Sequence, residues 1–191
     1  MIMNNAISVI MEQMECREKP LIAAIDGRCA AGKTTLAEHL KERTGCNVIH
    51  TDSFFLRLEQ RTEERLNTTG GNIDFERLRA EVMEPLKRGG TFSYRAFDCK
   101  RMELAEEILH IKPNDVTIIE GSYSCHPTLW EFYGLRVFLT VDPDEQLKRI
   151  ERRNGTEALA MFRERWIPLE EKYFAVLKIA QRCDLVLDTR N

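Results

Sequence analysis

The chain has 191 residues, 43% hydrophobic and 31% charged, which is the size and composition of one globular domain with a substantial core. A formal charge of -3 excludes a broadly basic surface of the kind that binds nucleic acid non-specifically. No apolar run approaches the ~20 residues needed to cross a bilayer, so no membrane partner is expected. The first twenty residues lack a basic start and a small-residue cleavage site, and the 6 cysteines form no C-x-x-C pair. The expectation is a cytoplasmic protein with reduced thiols, of which Cys29 alone lies inside a motif. Without internal repeats, low-complexity tracts or linkers, residues 1–191 read as a single domain.

Taken in chain order, Ile7, Ile10, Met11 and Met14 recur at helical spacing within 3–16, and Pro20 closes that helix. Leu21 to Ile25, bounded by Pro20 and Asp26-Gly27, reads as a buried strand. A helix over 34–43, stopped by Gly45, and a short strand over 47–51 follow. Residues 56–72 are polar, end in Gly70-Gly71 and are expected to form a mobile loop. The pattern predicts a helix over 74–86, a strand over 92–97 and a segment over 103–111 that fits strand or helix. Val116 to Ile119 is a buried strand running into Glu120-Gly121, and Leu135 to Val141 is another. Asp142-Pro143 then reads as an N-cap and first-turn proline for a helix over 144–153. A helix over 157–180 must kink or divide at Pro168, and Asp184 to Leu187 forms a last strand.

Short apolar strands alternating with helices give an α/β fold, with a parallel sheet covered on both faces. Ligands of such sheets bind at the carboxyl ends of the strands, and Gly27, Asp52, Glu120 and Asp142 each follow a different predicted strand.

Gly27-Arg28-Cys29-Ala30-Ala31-Gly32-Lys33-Thr34 satisfies G-x-x-x-x-G-K-[ST] at every specified position, with a strand before it and a helix after. Gly27 and Gly32 permit backbone turns that a Cβ would penalise, so successive amides can point at phosphates. The helix that follows adds its positive end. Lys33 is expected at the β- and γ-phosphates, Thr34 at Mg²⁺ and Thr35 near the α-phosphate. ATP and Mg²⁺ are therefore the expected cofactors.

Beside this loop, Asp52 in Thr51-Asp52-Ser53-Phe54-Phe55 can take the proton of an attacking hydroxyl and also touch magnesium. Glu120, at the end of its strand, has the position of a second magnesium-site carboxylate. Asp74 is equally well a helix N-cap or a group that binds substrate hydroxyls. Lys148, Arg149, Arg152 and Arg153 share one helix, with Arg163 and Arg165 soon after. Next to a phosphate loop, at least one of them is expected to act in a lid that excludes water and neutralises transferred charge.

These segments together resemble the uridine kinase/phosphoribulokinase-like branch of P-loop kinases over about residues 21–187. The matching residues are the phosphate loop, Asp52-Ser53-Phe54-Phe55, Asn72-Ile73-Asp74-Phe75, Tyr94 with Phe97-Asp98, Glu120-Gly121 and the Arg149/Arg152 helix. The resemblance implies a P-loop NTPase fold of nucleoside/nucleotide kinase type, three-layer α/β/α around a parallel five-stranded sheet. It adds a small β-hairpin insertion near 91–111, a substrate side over about 52–111 and a short lid over about 149–165. It implies Asp52 as base, Phe55, Asp74, Tyr94 and Arg149 in the nucleoside pocket, and Arg152 in the lid. Three departures fall on the substrate side. Asn154-Gly155-Thr156 replaces a longer basic lid, Phe55 stands where the family often has Tyr, and no base-reading histidine can be assigned after Tyr94.

The resulting expectation is a kinase that moves the γ-phosphate of ATP onto a hydroxyl of a small molecule, with uridine or cytidine the leading acceptor. A kinase of the same fold acting on pantothenate, a sugar phosphate or a vitamin precursor is the alternative. A regulatory GTPase ranks lower because N-K-x-D is absent. A homo-oligomer is left open.

Overall fold

In the computed structural model, which describes residues 2–189, the apolar runs of the sequence become the strands of one parallel sheet. Helix α1 (Ile2–Glu15) leads to strand β1 (Leu21–Gly27), helix α2 (Lys33–Thr44) and strand β2 (Asn47–His50). Two 3-10 turns (Thr51–Phe54 and Leu58–Gln60) and helix α3 (Glu63–Asn67) come next. Helix α4 (Phe75–Leu78) runs through a π-helical stretch (Arg79–Met83) into α5 (Glu84–Lys87). Strands β3 (Phe92–Tyr94), β4 (Phe97–Asp98), β5 (Glu103–Leu104) and β6 (Leu109–Ile111) precede β7 (Val116–Glu120). A 3-10 segment (Pro127–Phe132) leads into β8 (Leu135–Thr140). Helix α6 (Pro143–Met161), a π-helical stretch (Phe162–Trp166), α7 (Ile167–Leu177), α8 (Ile179–Arg182) and β9 (Leu185–Asp188) complete the order.

The sheet runs β2-β7-β1-β8-β9 with every pairing parallel. Parallel neighbours need crossovers, and the crossovers cover both faces. Alternation along β1 sends Leu21, Ala23 and Ile25 toward α1 and α2, where they meet Ile7, Ile10, Leu36 and Leu40. Ile22 and Ala24 point to the opposite face, which is filled by Leu78, Val82, Met83, Tyr173 and Phe174. Each face therefore buries its own core, and the carboxyl ends of β1, β2 and β7 converge on one edge. Among the described residues, no helix is long and apolar enough to cross a membrane.

Three expectations need correction. Residues 56–72 do not form an open loop. Thr62 caps α3 by accepting from the Arg65 amide at 3.1 Å, and Arg65 pairs with Glu76 at 2.7 Å. Part of the charge that suggests solvation is used in such pairs, with Arg57 on Glu59 as well. The expected strand over 92–97 is two strands, and 103–111 is strand rather than helix. β3 pairs with β6 and β4 with β5, both antiparallel, which gives the hairpin insertion. Pro168 does not divide its helix. The preceding π-helical stretch replaces i→i−4 bonds, with the Ile167 amide donating to Phe162 O, so the proline ring is accommodated. The break that does occur falls at Gly155, in the gap left between the predicted helices 144–153 and 157–180, where φ of 82° and ψ of 167° interrupt α6.

Candidate active site

β1 ends at Gly27, where φ is 132° and a Cβ would lie 2.0 Å from Leu139 O, so only glycine fits. The Arg28 amide donates to the same carbonyl at 3.1 Å and pins the start of the loop to β8. Ala30 (φ 58°) and Gly32 (φ 92°) adopt left-handed conformations, which curl the segment into a concave run of amides. Gly32 is the N-cap of α2, so the positive end of that helix opens into the loop. Lys33 is buried and turned inward, and its Nζ donates to Gly27 O at 2.7 Å and Arg28 O at 2.9 Å. Thr35 is exposed in the first turn of α2.

Thr34 Oγ1 lies 3.2 and 3.3 Å from the two carboxylate oxygens of Glu120. Glu120 is buried at the end of β7 and also meets His50 Nδ1 at 2.5 Å. That bond raises the His50 pKa above 6.5 in spite of partial burial. Asp52, in the turn after β2, is exposed yet has protein crowded around it. Loss of water is the largest cause raising its carboxyl above 3.8, and the charge of Glu120 is the next. Lys33, His50 and Arg153 oppose the rise. Thr34, Glu120 and Asp52 form an all-oxygen donor set that suits Mg²⁺. This ion keeps several waters and takes one or two carboxylates with the phosphates rather than a full protein cage.

Sequence reasoning assigned no role to Asp26, the one acid within β1. It is fully buried and accepts four hydrogen bonds. Gly27 N (2.7 Å) and Tyr123 N (3.2 Å) donate to Oδ1, and Cys125 N (2.8 Å) and Tyr173 OH (2.7 Å) donate to Oδ2. Burial pushes its carboxyl up to about 6, with the Tyr173 bond the strongest opposing influence. A carboxylate inside an apolar strand, one residue before the motif, is the sequence signal for this network. Helix α7 holds the loop at two further points: Cys29 N donates to Glu170 Oε2 at 2.9 Å, and Arg28 pairs with Glu171 at 2.7 Å. The other Glu170 oxygen accepts from Ser122 Oγ at 2.5 Å. Burial first and Glu170 second push the Cys29 thiol up to about 12.

A cleft of about 300 Å³ has Cys29 and Asp52 in its lining and Phe55, Tyr123, Phe162 and Trp166 as walls. Of the four expected pocket residues, only Phe55 lines it. Asp74 is buried as the N-cap of α4, accepting from Arg77 N at 2.9 Å and from Gln60 Nε2 at 2.8 Å. The cap is thus the role its geometry gives it. Tyr94 is buried in the core, its ring 5.1 Å from Phe54. Arg149 is engaged outside the cleft, donating to Thr189 O at 2.8 Å and to Ala30 O at the back of the phosphate loop at 3.4 Å, and pairing with Glu145 at 2.8 Å. The helical face explains this. Gln146 and Ile150 are the buried row of α6, with Gln146 Nε2 donating to Cys29 O at 3.0 Å. Arg153 continues that row, whereas Arg149 and Arg152 follow Glu145 on another.

A parallel α/β/α sheet with a phosphate loop after its central strand, an acid ending the adjacent β7 and another just after the edge strand β2 defines a P-loop protein of kinase fold. The chain belongs to the AAA domain family, whose model matches residues 24–165. It is 27% identical over 185 residues to the uridine kinase of Mycoplasma genitalium, covering 89% of this chain and 85% of that one. It is 27% identical over 150 residues to uridine kinase-like protein 5 of Arabidopsis thaliana. That match covers 73% of this chain and only 32% of the longer plant protein. A solved structure described as a possible uridine kinase from Bacillus stearothermophilus aligns with a TM-score of 0.75 at 20% identity, over 98% of this chain and 100% of that chain. The likeness to uridine kinase-type P-loop kinases, read from the motifs, is therefore found across most of the chain.

Proposed function

We propose that the chain is an ATP-dependent kinase that transfers the γ-phosphate to a hydroxyl of a small molecule. The observation that carries this reading is the shared cleft. Cys29 of the phosphate loop and Asp52 line the same space, and Lys33 is turned inward onto the loop carbonyls beside it. In this reading the loop amides and Lys33 hold the phosphates, and Thr34, Asp52 and Glu120 hold Mg²⁺. Bound Mg²⁺ supplies neutralisation of charge on the β- and γ-oxygens. Asp52 orients the acceptor hydroxyl and takes its proton, a task helped by its raised pKa. Arg153 is the better-aligned lid residue than Arg152, because it shares the loop-facing row of α6 and its charge acts on Asp52. The aromatic walls exclude water from the transfer.

The relatives' names favour uridine or cytidine as acceptor. A second reading, a hydroxyl acceptor of another class, is favoured by the engagement of Asp74, Tyr94 and Arg149 elsewhere. A coupled ADP-release assay over a panel of hydroxyl compounds tests the kinase. Asp52→Asn is expected to lower turnover by about a hundredfold or more with the fold intact. Full activity in that variant would remove Asp52 as the base.

A further inference from the structure

The cleft at Asp52 shares Phe55, Asn72, Tyr123 and Trp166 with a second cavity of about 230 Å³, none of whose lining residues belongs to the phosphate loop. The two spaces differ in charge. The first is lined by the acids Asp52 and Glu170. The second is lined by Arg61, Arg165 and Lys172 and by no Asp or Glu. Elsewhere the arginines of this chain find carboxylates, as in Arg28–Glu171 at 2.7 Å, Arg65–Glu76 at 2.7 Å and Arg79–Glu131 at 2.7 Å. Among the described residues, none of the three cations at this cavity is in an ion pair.

Arg61 is also held in position. It is half-buried, its Nε donates to Leu56 O at 2.9 Å, and its guanidinium lies 5.6 Å from the centre of the Phe97 ring. One backbone acceptor and one aromatic face fix the plane of the fork, and its terminal amino groups meet no carboxylate. Arg165 lies over the Trp166 ring at 4.9 Å, on the wall common to both spaces. A planar guanidinium with free donors matches a carboxylate or a phosphate in two-point fashion. Three like charges around one cavity repel one another until an anion enters.

We infer that the acceptor is a hydroxyl compound that carries a carboxylate or phosphate, with its hydroxyl at Asp52 and its anion at Arg61, Arg165 and Lys172. This rests on the kinase reading above and names the substrate class within it. The apolar walls between the two ends take the body of the molecule. The polarity of the cavity also sets its direction, because the acidic end repels the anion that the basic end attracts. A neutral nucleoside would leave the three cations unmatched.

The test is ADP release with matched pairs that share a hydroxyl and differ in the anion: pantothenate against panthenol, D-glycerate against glycerol, ribose 5-phosphate against ribose, and uridine as a neutral acceptor. The carboxylate and phosphate arms separate the two sources of charge. The expected result is turnover of an anionic member and at least a tenfold lower kcat/KM for its neutral partner. Arg61→Gln should raise the KM for that anionic acceptor about tenfold or more, as for loss of one charge-assisted contact, with the KM for ATP unchanged. Arg61→Lys should recover part of the loss. Binding of a non-hydrolysable ATP analogue checks that the variants fold, and Lys172→Gln, at an exposed position, gives a second reading of the same charge. Equal or better turnover of neutral partners, or an unchanged acceptor KM in both charge-removing variants, overturns the anion site and leaves the kinase standing. No turnover of any acceptor by a protein that also fails to bind the ATP analogue overturns the kinase reading, and the anion site falls with it. ATP-analogue binding without turnover of any acceptor, charged or neutral, overturns the anion site alone.

Discussion

Tyr173→Phe removes one oxygen from a fully buried side chain and leaves the ring, with its edge-on contact to Tyr123 at 4.9 Å, in place. The lost group is the hydroxyl that donates to Asp26 Oδ2 at 2.7 Å. A buried hydrogen bond to a charged acceptor is worth about 1.5–3 kcal/mol, so the unfolding free energy at pH 7 should fall by that amount. For a chain of this length the melting temperature should drop by roughly 3–12 °C. A second effect runs through the proton. Asp26 titrates at about 6 instead of 3.8, a difference of roughly 3 kcal/mol between its protonation states. Because the folded value is the higher one, the native state takes up the proton first. The stabilisation this gives is complete below 3.8 and is lost as pH rises through about 6. Tyr173 is the chief influence holding the value down, so the variant should titrate higher and lose the stabilisation at higher pH. The deficit of Tyr173→Phe should therefore be largest above neutrality and shrink toward pH 5. Urea unfolding between pH 5 and 8 and carboxyl-carbon NMR of Asp26 measure the two effects. A variant within about 0.5 kcal/mol of the parent at pH 7, with no upward movement of the Asp26 midpoint, would refute the argument.

The loop and its neighbours carry two more predictions. Gly27→Ala would set a Cβ 2.0 Å from Leu139 O at a φ of 132°, so it should cost about 2 kcal/mol or more and abolish ATP-analogue binding. Gly45→Ala, in open space at a φ of 72°, should cost only about 1 kcal/mol and leave binding intact, a contrast readable by thermal melts and titration. With its thiol pushed up to about 12, Cys29 should resist iodoacetamide at pH 8 while the exposed Cys16 reacts. Peptide mass spectrometry reads both, and Glu170→Gln should speed labelling of Cys29.

The motif from Gly27 to Thr34 was legible because each specified residue answers a local demand, such as the close approach of Gly27 to Leu139 or the inward turn of Lys33. The core strands were legible for the same reason, since burial on both faces leaves an apolar run at 21–25 in β1 and a run of apolar and β-branched residues at 116–119 in β7. Asp26 was legible only as an acid out of place in an apolar strand, because its partners Tyr123, Cys125 and Tyr173 are distant in sequence and come together only through the fold. The acceptor side was harder still. Asp74 satisfies the pattern of a ligand and of a cap equally, and only the positions of Gln60 and Arg77 decide for the cap. For Arg149 the deciding fact is the rotation of α6, which Gln146 and Ile150 fix by packing inward. The charge contrast between the two cavities comes from Arg61 and Arg165, which are far apart in the chain and meet only through the fold.

Titration calorimetry of wild type and Lys33→Ala with a non-hydrolysable ATP analogue, in the presence and absence of Mg²⁺, bears most directly on the phosphate loop as a triphosphate receptor. Saturable binding by the wild type that strengthens with Mg²⁺, and that weakens by about tenfold or more without the Lys33 ammonium, is the expected result. Wild-type protein that gives no binding heat at millimolar nucleotide, or a lysine-free variant that binds as tightly, would contradict it.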